Sequence, residues 1–121
     1  MDLVLYHGDH RRDERGYPQQ AEGTAEKIQQ AIIRLTVPKG RFALDPELGS
    51  RLYELGTGNR EPGRLQELAL EYAQEALLEL REVRVLSAKA QRREESLFLE
   101  LELCCQGEVE ERFRLEWELN G

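Results

Sequence analysis

The chain reads as an α+β domain, with two to three helices packed on one face of a C-terminal three-stranded antiparallel meander and a possible β-hairpin before them. Three observations predict it. Ile28, Ala31, Ile32 and Leu35 recur at helical spacing, and so do Leu65, Leu68, Ala69, Tyr72, Ala73, Ala76, Leu77 and Leu80. Beyond Val83 the apolar period drops from about 3.6 to two, most cleanly at Leu97, Leu99, Leu101 and Leu103. Helical stripes followed by alternating strands place the helices on one sheet face and leave the other to water. At 121 residues the chain fits one domain whose core needs no disulfide or metal. The organisation predicted is residues 1–20 as a strand, hairpin or arm and residues 21–121 as a single α+β domain.

Taken in order, Leu3–Tyr6 reads as a short strand and His7-Gly8-Asp9 as the turn leaving it. The charged run from His10 to Gly16 is a hairpin tip or an arm, and Tyr17-Pro18-Gln19 a second edge strand, where proline is tolerated. Thr24 is the expected N-cap of the first helix, with Ala25 opening the apolar stripe and Ile33 widening it. That helix fades near Val37, because the residue before Pro38 is pushed out of the α region.

Pro38-Lys39-Gly40 is a turn signal, and Phe42 and Leu44 follow in a short extended piece. Asp45 before Pro46 is the signature of a helix start, with Leu48, Leu52 and Leu55 on one face and Tyr53 beside them. Gly49 inside such a helix costs about 1 kcal/mol, so its reason is the close approach of another backbone. Gly56–Gly63 is a loop, with Pro62 near the next helix start. The long helix is expected over Arg64–Leu80, with Glu67, Glu71, Gln74, Glu75 and Glu79 on its wet side. A strand from Val83 to about Ala90, a charged turn at Gln91–Glu95, and strands through Leu97–Cys104 and Val109–Leu119 complete the chain.

Composition narrows the function classes. Charged residues at 34 % and a net charge of −7 describe an acidic surface, which argues against nucleic acid as a partner. No run approaches the roughly 18 apolar residues of a membrane span, and the N-terminus lacks the apolar core of a signal peptide. Cys104 and Cys105 are adjacent and point to opposite faces of a strand, so they do not pair, and one of them fills the core. Free thiols fit a reducing compartment, which predicts cytoplasmic synthesis.

Candidate chemistry is sparse. His7, Asp9 and His10 fall close together, but a structural metal needs about four rigid ligands and no further cluster supplies them. A solvated turn explains them. Cys104-Cys105 has no partner histidine, and Ser50 lacks the Gly-x-Ser-x-Gly setting of a nucleophile elbow. Gly56-x-Gly58 has no preceding strand, so no cofactor fingerprint is present. With 24 acidic residues, some carboxylate pair will meet a glycosidase's spacing by chance. Asp45 is explained as a cap, and Glu47 and Glu54 as exposed helix positions.

One stretch carries a resemblance. RLTVPKGRFALDPELGSRLYEL (residues 34–55), followed by a long helix and a late meander, resembles the phage baseplate wedge family. These are the GPW-type tail proteins once labelled tail lysozymes, with relatives in contractile injection systems. By order of elements the resemblance runs from Ala21 to Leu119. It implies a structural, non-enzymatic part of a phage or prophage tail baseplate or related injection machine, acting through contacts within a multi-subunit ring. Other tail proteins would be its partners, and its place the host cytoplasm and then the virion tail. The matched residues, Asp45, Pro46, Gly49, Ser50 and Arg51, become the implied contact. Arg51 pairs with Glu47 or Glu54 on a helix surface, or reaches a neighbouring subunit, with Gly49 and Ser50 small so that the other chain can approach. The family commonly shows Glu-Pro-Arg before the first meander strand. Here Leu80-Arg81-Glu82 stands in its place, so only the charged pair Arg81 and Glu82 is carried over as a contact. The competing expectations are a peptidoglycan-cleaving glycosidase, suggested by the old label, and a small adaptor domain unrelated to phage.

Overall fold

Strict alternation from Leu97 to Leu103 makes one inner strand of a four-stranded antiparallel sheet. The computed structural model describes residues 3–7, 11–12, 18–19, 23–107 and 110–120. The elements in order are β1 (Val4–His7), β2 (Arg11–Arg12), β3 (Pro18–Gln19), α1 (Thr24–Thr36), a 3₁₀ helix (Leu52–Gly56), α2 (Pro62–Ala76), β4 (Val83–Arg93), β5 (Ser96–Cys105) and β6 (Glu111–Asn120). Sheet order is β1-β6-β5-β4, while β2 and β3 pair separately. The class is α+β as predicted. The expected meander gains β1, which joins the free edge of β6 with Leu5 opposite Leu115.

Leu97, Leu99, Leu101 and Leu103 share a face and are wholly buried, and Phe113, Leu115 and Trp117 stand across from three of them. Each such burial stabilises by roughly 1.5–3 kcal/mol as an upper bound. β4 reaches the same face by an irregular route. Val83 and Val85 face inward, a bulge between Val85 and Ser87 inserts one residue, and Ala88 and Ala90 then take the inward positions. The alanines leave room for α2, which packs its Leu65, Leu68, Ala69, Tyr72, Ala73 and Ala76 into the core. The Gln66 carboxamide accepts the Ala90 N–H at 2.6 Å, closing part of the β4 edge.

Several boundaries differ from expectation for local reasons. Gly23, in the left-handed region at φ 82°, caps α1, and Thr24 is its first residue with a buried side chain, so Thr24 is not the N-cap. Ala25 is exposed rather than part of the stripe. α2 begins with Pro62 at its first turn and stops at Ala76, after which Leu77 and Leu80 reach the core through turns instead of helix. β4 continues to Arg93, so the charged hairpin turn shrinks to Glu94-Glu95, with Glu94 at φ 50°. Both cysteines are buried, and one of them, Cys105, joins the core cluster as expected. The His7–His10 cluster, Tyr17 and Val109 lie outside the residues whose side chains are described.

Candidate functional site

The segment between α1 and the 3₁₀ helix is a loop with fastened ends. Pro38 and Ser50 form an isolated parallel bridge. The Ser50 N–H donates to the Val37 carbonyl at 2.9 Å, and the Lys39 N–H donates to the Ser50 carbonyl at 3.0 Å. Three consecutive turns lie between, closed by Arg41 N–H to Pro38 O, Asp45 N–H to Phe42 O and Leu48 N–H to Asp45 O, each 3.1 Å. Gly40 at φ 92° fills the third place of the first turn, where positive φ is wanted, and Pro46 the second place of the last. The expected helix over 46–55 is therefore absent. Asp45 and Pro46 start a turn, a conformation the same residue pair favours. Gly49 stops any continuation, and only Leu52–Gly56 turn helically.

The predicted contact residues divide between the inside and the surface. Gly49, at φ 115°, sits against the chain's own Val37–Lys39 backbone. A Cβ there would collide with the Val37 carbonyl oxygen and come within 2.8 Å of the Lys39 nitrogen. Close backbone approach was the right reason for this glycine, and the approaching backbone is intramolecular. Ser50 is 3 % exposed; its hydroxyl donates to the Leu35 carbonyl at 2.6 Å and accepts the Leu52 N–H at 3.3 Å. Arg51 stays half-exposed but is engaged within the chain. Its Nε donates to Glu54 at 3.0 Å, its Nη2 to the Tyr72 hydroxyl at 3.2 Å, and its guanidinium lies 4.4 Å from the Tyr72 ring centre. Glu47, the other expected partner of Arg51, pairs with Lys39 at 3.4 Å.

Glu75 on α2 anchors both stems, 3.4 Å from Lys39 and 3.8 Å from Arg51. The hydrogen bond to Glu75, ahead of the attraction of Glu47, raises the Lys39 ammonium above its ordinary value despite some desolvation. The Glu54 hydrogen bond does the same for Arg51. A cation so raised stays charged throughout the range in which its carboxylate partners are ionised, and loses its attraction as pH climbs through the raised value. Both stems are therefore held at neutral pH.

What the fastened loop presents is its tip. Leu44 is 92 % exposed and Phe42 50 %, flanked by exposed Arg41 and Asp45. Sequence reading placed Phe42 and Leu44 on one side of an extended piece and did not single them out. A second residue it missed is Arg92, assigned to a charged turn. Arg92 occupies the inward row of β4 opposite Leu97 and donates to the carbonyls of Gly56, Leu55 and Gly58 at 2.9, 3.1 and 3.2 Å. It thereby satisfies the end of the 3₁₀ helix. The signal for it is a cation in an apolar row, visible only once the bulge has set the register. The other predicted contact pair, Arg81 and Glu82, forms the exposed corner of a turn closed by Val83 N–H to Leu80 O; Glu82 also meets Lys27 at 3.6 Å.

The outer sheet face offers the nearest approach to a catalytic arrangement. Glu100 and Glu116 stand directly opposite each other on β5 and β6. Arg114 lies between them, with Nε 3.3 Å from Glu116 and 3.9 Å from Glu100, and stacks 4.3 Å over Tyr6. The two carboxylates converge on a cation instead of facing an open cleft. Burial first, then Glu110, pushes the Cys104 thiol above its usual value, and burial first raises Cys105, which disfavours a thiolate nucleophile. Among the described residues no group of three or more His, Cys, Asp or Glu is placed to hold a metal, and no helix is long and apolar enough to cross a membrane.

Comparison with known proteins places the fold. Neither the family models nor the curated proteins give a match. Among solved structures, the chain is similar to a protein from Geobacter sulfurreducens provisionally named a tail lysozyme. The TM-score is 0.63 at 18 % identity, over 84 % of this chain and 94 % of the other. At that identity the likeness establishes a shared fold.

Proposed function

We propose that the chain is a structural, non-enzymatic component of a phage or prophage tail baseplate or a related injection apparatus. The observation that carries this reading is the likeness of fold to the provisionally named tail protein, which spans nearly all of that chain. The loop supports a structural role within it. A compact loop, tied by backbone bonds and by Glu75, that holds apolar side chains in solvent suits contact with neighbouring proteins better than turnover. The partners are other tail proteins in a multi-subunit ring, met in the host cytoplasm during assembly. Co-purification with the products of the adjacent genes tests this. Recovery of a stoichiometric assembly is expected; a chain that stays alone while those products assemble without it refutes the reading.

The name of the structural neighbour favours a second reading, a peptidoglycan-cleaving glycosidase. Glu100 and Glu116 are its candidate carboxylates, although both are engaged by Arg114. Clearance of a peptidoglycan suspension by the wild type, abolished in Glu100→Gln or Glu116→Gln, would establish it in place of the structural role.

A further inference from the structure

We infer that the Arg41–Asp45 tip is a knob that inserts Leu44, with Phe42 two residues before it, into an apolar pocket on another protein of the assembly. The inference rests on the structural reading above and adds the contact and the chemistry of its partner. Turn tips are ordinarily polar, because polar residues satisfy the local backbone and cost nothing in water. Here the tip exposes 92 % of Leu44 and half of Phe42 between Arg41 and Asp45. Its base is over-determined. The Pro38–Ser50 bridge, the Gly49 backbone contact, the Ser50 hydroxyl and the Glu75 ion pairs all fix the stems. A tip ordered before binding loses less freedom on docking.

Charge selects the class of partner. Lys39 and Arg41 precede the apolar pair and Asp45 and Glu47 follow it with the opposite sign, while the whole chain carries a net −7. The chain's net negative charge disfavours an anionic lipid surface. A protein pocket with an apolar floor and a rim of both signs complements the tip.

The test compares wild type with Leu44→Asp and with Leu78→Asp, a control at another exposed leucine (72 %). Each is titrated against the purified products of the adjacent genes, and each is also sedimented with phosphatidylglycerol–phosphatidylethanolamine vesicles. Both leucines are in solvent, so circular dichroism should show all three proteins folded. Loss of about 30-fold or more in affinity with Leu44→Asp, and little change with Leu78→Asp, is the expected result. Undiminished binding by Leu44→Asp overturns the knob and leaves the structural reading intact. Equal losses in both variants overturn the localisation. A wild type that binds none of the products removes the structural reading and the knob with it. Vesicle binding that depends on Leu44 overturns the protein pocket in favour of lipid.

Discussion

The inner face of the sheet and the Pro38–Ser50 loop lie in one small domain but are held by different physics. The inner face is apolar, with four leucines of β5 wholly buried against Phe113, Leu115 and Trp117 from β6 and the alanines of α2. Its stabilisation is non-directional and grows with area. The loop buries little of itself. Its shape comes from backbone hydrogen bonds at the stems, a buried serine hydroxyl, two glycines in a conformation other residues avoid, and ion pairs that share Glu75. Removing area should weaken the first everywhere, while removing one directional group should release the second locally.

The difference also explains what could be read from the chain before its structure. Leu97–Leu103 declares its buried face through alternation alone, since each leucine needs only its position on the strand. The two helical stripes are legible for the same reason. β1 was not assigned to the sheet, because its pairing with β6 depends on contacts more than a hundred residues apart in sequence. The inward row of β4 was obscured by the bulge, which moves the buried positions from odd to even numbers. At the loop, Asp45-Pro46 fits a helix start and a turn start equally well, and Gly49 decides between them through contact with Val37–Lys39. The candidate residues Gly49 and Ser50 were thus found, but their reason is internal to the chain. The apolar tip was missed because exposure is a property of the assembled stems.

The largest expected effect is at the sheet. Leu101→Ala should lower global stability by about 2–5 kcal/mol, seen in the denaturation midpoint, and should move the loop and the core together. Gly49→Ala comes next. Its backbone alone costs roughly 1–3 kcal/mol, and the collision with the Val37 carbonyl should open the stems. Exchange at the Lys39 and Ser50 amides should then accelerate far more than exchange in β5. If both regions accelerate alike, the loop is not a separate unit and the comparison fails. Glu75→Gln should have the smallest effect, with almost no change in global unfolding, because its partners are solvent-screened. It should weaken the salt dependence of exchange at the loop stems, where the Lys39–Glu47 and Arg51–Glu54 pairs remain, and an unchanged dependence would show that Glu75 does not anchor them.

The central claim is that a fastened base displays an apolar tip to a partner. Residue-resolved hydrogen exchange, on the free protein and on its assembly with the products of the adjacent genes, tests it most directly. The account predicts slow exchange at Lys39 and Ser50 in both states, together with fast exchange at Ala43 and Leu44 that slows on assembly. Stem amides as fast as the tip, or a tip that exchanges equally fast in the assembly, would contradict it.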